Sequence, residues 1–88
     1  MKISVIKANE DQLQELGIKS WPQWGCSPST FDWEYTESEI AYIISGKVKV
    51  KTEWETVEIG PGDLVTFPEG LKCTWTVIEP VKKVYKFN

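Results

Sequence analysis

The chain has 88 residues, room for one compact domain, and a domain of this size buries only about 60–65% of its unfolded surface. Its basic residues (10, all lysine) face acidic residues (13), a net charge of −3, and histidine is absent. Without arginine to fork onto phosphate, nucleic-acid binding is disfavoured. Without histidine, Ser-His-Asp and Cys-His chemistry and every histidine-based zinc signature are excluded.

Valine and isoleucine far outnumber leucine and alanine, and threonine adds to the β-branched total. Such side chains fit pleated surfaces better than helices, so an all-β, mostly antiparallel protein is expected. Ile3 to Ile6 opens the chain as a short strand. Asn9 to Gly17 reads as one short helix, with Asn9 as cap, Glu10 and Asp11 at its positive end and Gly17 as stop. Leu13 and Leu16 are its expected inner stripe. Trp21 to Pro28 reads as a loop, broken by two prolines and a glycine, whose tryptophans must lie against the sheet.

From residue 30 the pattern is strand after strand. Phe31, Trp33 and Tyr35 alternate with Asp32, Glu34 and Thr36, the period of a strand with one polar face. Glu39 to Ser45 is a near-continuous apolar strand, and Gly46 opens a second one with alternating lysines, Lys47 to Lys51. Trp54 sits at the following turn. Thr56 to Ile59, Leu64 to Phe67, Cys73 to Ile78 and Lys82 to Phe87 complete the set, with turns at 60–63 and 68–70 and a break at Pro80. Short strands at regular spacing argue for a small barrel or sandwich.

The longest apolar run, Ile40 to Ile44, is too short to span a bilayer, and residues 1–4 carry no signal-peptide core. Cys26 and Cys73 are too few for a disulfide scaffold. A reduced, cytoplasmic setting without membrane contact is the expectation, with a single Cys26–Cys73 bridge as its alternative.

Gly62-Asp63-Leu64-Val65-Thr66-Phe67-Pro68-Glu69-Gly70-Leu71-Lys72-Cys73 resembles the second cupin motif: glycine, five residues, proline, one, glycine, two, histidine. Cys73 stands at the histidine position. Glu39 followed by Gly46 resembles the end of the first motif, whose two histidine positions fall on Trp33 and Tyr35. The motif regions are 33–46 and 62–75 within a single cupin domain over 1–88. The run from Phe67 to Trp75 resembles the small single-domain cupins of the ureidoglycine aminohydrolase type. That resemblance implies a double-stranded β-helix, or jelly-roll barrel, with a pocket at one mouth and often a homodimer.

Metal-binding cupins offer three histidines and a glutamate where this chain has Trp33, Tyr35, Glu39 and Cys73. Tryptophan has no lone pair for a metal, and tyrosine ligates well only after losing a proton of pKa near 10. No cofactor is therefore expected; the alternative is a rebuilt site of Glu39, Cys73 and Tyr35 around zinc or manganese. Cys73 reads as a small buried hydrophobe or as a nucleophile lacking an obvious base. Period-2 geometry places Trp33, Tyr35, Glu39, Cys73 and Trp75 on one pocket face, an aromatic cleft with one acid. The expected function is binding of a small molecule. The alternatives are a metal-dependent enzyme resembling ureidoglycine aminohydrolase and a dimeric structural or regulatory module whose interior is filled.

Overall fold

In the computed structural model, which describes residues 1–87, the strands are β1 (Ser4–Lys7), β2 (Gln23–Cys26), β3 (Ser29–Glu34), β4 (Glu39–Lys51), β5 (Thr56–Ile59), β6 (Asp63–Phe67) and β7 (Lys72–Phe87). All pair antiparallel. Two long strands organise the rest. The first half of β4 pairs with β6 and its second half with β5. Likewise β7 takes β3 along residues 72–77 and β2 along 81–84. The β4–β7 ladder joins the two halves, the jelly-roll arrangement that the motifs imply.

The chain spends its apolar residues between those halves. Ala41, Ile43, Val48, Val50, Val65, Phe67, Leu71 and Val77 are all buried in one cluster. Tyr42, Ile40 and Ile44, on the alternate positions of β4, are half-buried or exposed. Among the described residues no helix is long and apolar enough to cross a membrane.

Four local expectations change. The segment read as a loop contributes β2, because Gln23 to Cys26 finds the free edge of β7. The strands expected on either side of Gly46 are one strand, as are those on either side of Pro80. Proline is tolerated there because the pairing of β7 with β3 ends at Val77 and its pairing with β2 begins at Val81, while the β4 ladder is irregular between Ile43 and Val48. The missing N–H therefore breaks no regular ladder bond. Finally, the helix α1 (Glu10–Leu16) forms with the expected caps, Asn9 Oδ1 accepting from Gln12 N at 2.9 Å and Gly17 turning left-handed. Yet none of its residues is buried and Leu16 is exposed. Its reciprocal capping box, not an inner stripe, holds this short helix.

Candidate ligand site

β3, β4 and β7 bring Trp33, Tyr35, Glu39 and Trp75 around one cavity of about 310 Å³. Tyr35 follows β3 directly and is pinned by backbone bonds on both sides: its N–H donates to Leu71 O at 2.9 Å and its carbonyl accepts from Gly70 N. The ring is buried and stacks on Phe67, centroids 4.7 Å apart. Trp33 is 49% exposed and meets Tyr35 edge-on, which places it at the cavity mouth. Trp75, fully inside, stacks on Phe31 and receives Trp24 edge-on. Its Nε1 is the buried side-chain nitrogen or oxygen that lacks a hydrogen-bond partner among the described residues.

Cys73 is buried in the same cluster as Tyr35 and Trp75 without lining this cavity; it borders a second depression with Asp32, Trp33, Lys51 and Thr52, and its Sγ donates to Trp33 O at 3.6 Å. Cys26 and Cys73 are both free thiols.

The residue that sequence reasoning missed is Lys83. Its Nζ lies 2.6 Å from Glu39 Oε2, and the two side chains are 7% and 5% exposed. Glu39 faces Phe87 in the β4–β7 ladder and Lys83 faces Ile43, four residues away, or roughly 13 Å of strand. Both long side chains must therefore reach along the barrel wall to meet. The same ammonium sits 4.9–5.4 Å from the ring centres of Trp24, Trp75 and Tyr85, where each ring's negative face attracts it. Burial pulls the Lys83 ammonium below the ordinary lysine range, and Glu39 opposes that shift. The pair has zero net charge in an apolar box.

Trp24, Phe31, Tyr85 and Phe87, also missed, complete the walls. One signal would have found Lys83, Tyr85 and Phe87. The alternation of Cys73, Trp75 and Val77 continues through Val81 to Lys83, Tyr85 and Phe87, but only if Pro80 is read as part of the strand.

The donors that a metal would need are not suited to one. Glu39 already receives an ammonium. Burial holds the Tyr35 hydroxyl protonated far above its usual range, with the Glu39 charge adding to the effect. Burial likewise pushes the Cys73 thiol up to about 11, and its sulfur borders the other depression. A divalent cation beside Glu39 would meet Lys83's charge first.

The sequence matches the profile of the EutQ-like cupin domain over residues 13–85. The chain belongs to this cupin family. A DUF861 family protein from Thermotoga maritima shares the EutQ-like cupin's structure here at a TM-score of 0.97 and 44% identity, covering 99% of this chain and 100% of that one. The acetate kinase EutQ of Clostridioides difficile (strain 630) is 29% identical over 103 residues, 97% of this chain. This cupin spans 66% of that protein's length. The C. difficile EutQ structure gives a TM-score of 0.69 at 26% identity, over 74% of this chain and 52% of that one. A putative ethanolamine utilization protein from Salmonella typhimurium LT2 matches at 0.69 and 19% identity over 99% of this chain and 69% of its own, a likeness of fold alone.

Proposed function

We propose that this EutQ-like cupin binds a small, neutral, planar molecule bearing a carbonyl or amide oxygen, and does so without a metal. The observation that carries this reading is the Lys83–Glu39 pair inside an aromatic-walled cavity. An ammonium has three N–H donors, of which Glu39 takes one, so donors remain for a ligand oxygen. A charged ligand is disfavoured. An anion would share one ammonium with Glu39 in a medium of low dielectric, and a cation would face Lys83. The aromatic lining, with Trp24, Phe31 and the exposed Trp33, favours a ring, and a cavity of about 310 Å³ lies at the small end for ligand sites.

The metal-dependent alternative, hydrolysis of the ureidoglycine type, has no support from donors already occupied by a lysine or held protonated. Phosphoryl transfer, the activity in the C. difficile relative's name, belongs to a protein of which this chain spans only part. The cavity described here has one lysine, already paired, and no second cation with which to hold a transferring phosphoryl group.

Tryptophan fluorescence tests the reading, with benzamide, benzoate and benzamidine as neutral, anionic and cationic probes of one shape. Benzamide is expected to give a saturable change, weakened about tenfold or more by Lys83→Met, as for a hydrogen bond to a charged group. Flat responses to all three probes, or tightest binding of benzoate or benzamidine, would overturn it.

A further inference from the structure

We infer that Lys83 is a covalent capture group: its amine condenses with an aldehyde or ketone ligand to form an imine in the aromatic cavity, with Glu39 carrying the protons. This deepens the binding reading above and rests on it. An imine-forming lysine needs three things: access to a ligand, a proton carrier at hydrogen-bond distance, and surroundings that tolerate a cationic product without stabilising it only in water.

Access comes from the cavity, whose lining includes both Lys83 and the half-exposed Trp33 and Phe87. The proton carrier is Glu39, 2.6 Å from Nζ. The surroundings are the faces of Trp24, Trp75 and Tyr85, each within 5.4 Å of Nζ. They would embrace an iminium as they do the ammonium, since both carry one positive charge on the same nitrogen. Burial moves the Lys83 amine toward its neutral, nucleophilic form, which adds to what the geometry supplies.

The step balances within the site. Lys83's ammonium gives one proton to Glu39, and the freed lone pair attacks the carbonyl carbon. The C–N bond forms as the C=O π pair moves to oxygen, and that oxygen takes a proton from Nζ, leaving a carbinolamine. Glu39 then returns its proton to the hydroxyl, the C–O bond breaks, and water leaves as the nitrogen lone pair forms C=N. Ammonium plus carbonyl becomes iminium plus water, with charge conserved and Glu39 restored to a carboxylate. No oxidant or reductant takes part.

The experiment uses the full chain with one equivalent of benzaldehyde and sodium cyanoborohydride at neutral pH, followed by peptide mapping. Hydride reduces the imine to a stable secondary amine, so the site of condensation is read directly. Lys83 is expected to gain a benzyl group about tenfold or more faster than any other lysine, and Glu39→Gln to slow that gain by a comparable factor. Benzamide, which has the same shape but an unreactive carbonyl, is expected to protect Lys83 when added in excess. Labelling spread evenly over the lysines, or sparing Lys83, overturns the inference. If benzamide still changes the tryptophan fluorescence in that case, the imine fails while the binding reading stands. If it does not, both fail. Because the decisive labelling is done on the unaltered protein, a variant that does not fold leaves the result intact.

Discussion

Gly46 and Pro80 meet where the two long strands cross the irregular part of their ladder. A Cβ built on Gly46 would overlap the Pro80 carbonyl, and the Gly46 φ of +94° lies in the region that L side chains rarely adopt. The neighbour is backbone on both counts, so no side chain can swing away. Both long strands run on past this contact, β4 through Gly46 and β7 through Pro80.

Gly46→Ala is accordingly expected to destabilise the fold by roughly 3 kcal/mol or more, strain and overlap acting together. Gly62, at φ +89°, has nothing within 4 Å of the same added carbon. Gly62→Ala therefore carries the backbone strain alone, about 1–2 kcal/mol. Urea midpoints for the two variants check the order; equal losses would mean that the Pro80 contact is not tight.

The Glu39–Lys83 pair predicts a non-additive cycle. Removing one partner leaves a charge buried among rings, and Glu39→Leu or Lys83→Met alone is expected to lose roughly 3–5 kcal/mol. The double variant replaces the pair by apolar groups of similar size and is expected to recover most of that loss. Denaturant unfolding of all four proteins measures the coupling. If the two single losses simply add, the pair does not interact as described.

Thr52 ends the β4–β5 hairpin with its side chain. Its Oγ1 accepts from the backbone N–H of Trp54 and of Glu55, at 3.1 and 3.0 Å, and donates to Glu55 O. Glu55 in turn accepts from Ile3 N through Oε2 at 2.9 Å, tying the start of the chain to this turn. Thr52→Val keeps the shape and strands two donors, so a loss of about 1–3 kcal/mol is expected. Trp54, 58% exposed at the tip, is expected to tolerate alanine within about 0.5 kcal/mol. Thermal unfolding of both variants tests the contrast.

The strands were legible because Val48, Val50, Trp75 and Val77 alternate with polar or exposed neighbours, and period 2 has one interpretation. The helix caps were legible for a similarly local reason. Residues that turn up on one strand face (Trp33, Tyr35, Trp75) could be grouped from spacing. Lys83 could not. Its pairing with a carboxylate 44 residues away and with three rings from two strands is a tertiary fact. Pro80 made matters worse, because a usual strand breaker here sits where β7 has no regular partner bond to lose. Spacing placed Cys73 beside Trp75, and the two share one buried cluster, with the Cys73 sulfur also donating to Trp33 O where it borders the neighbouring depression.

That placement of Cys73 makes a prediction about alkaline stability and thiol reactivity together. Burial raises the thiol from the ordinary value near 9 to about 11 in the folded chain. Between those values the unfolded chain has released the proton and the folded chain still holds it. The unfolded state thus binds fewer protons, and stability falls as pH rises through that window. Lys83 contributes with the opposite sign below the ordinary lysine value, because its folded ammonium titrates early. Comparing the unaltered protein with Cys73→Ala isolates the thiol: relative to the variant, the unaltered protein is expected to lose stability progressively from pH 9 to about 11. In iodoacetamide at pH 8, Cys26, which is half-buried, is expected to alkylate well before Cys73. A stability difference that stays flat across the window, or alkylation of Cys73 first, would show that the thiol is neither shielded nor shifted as its surroundings demand.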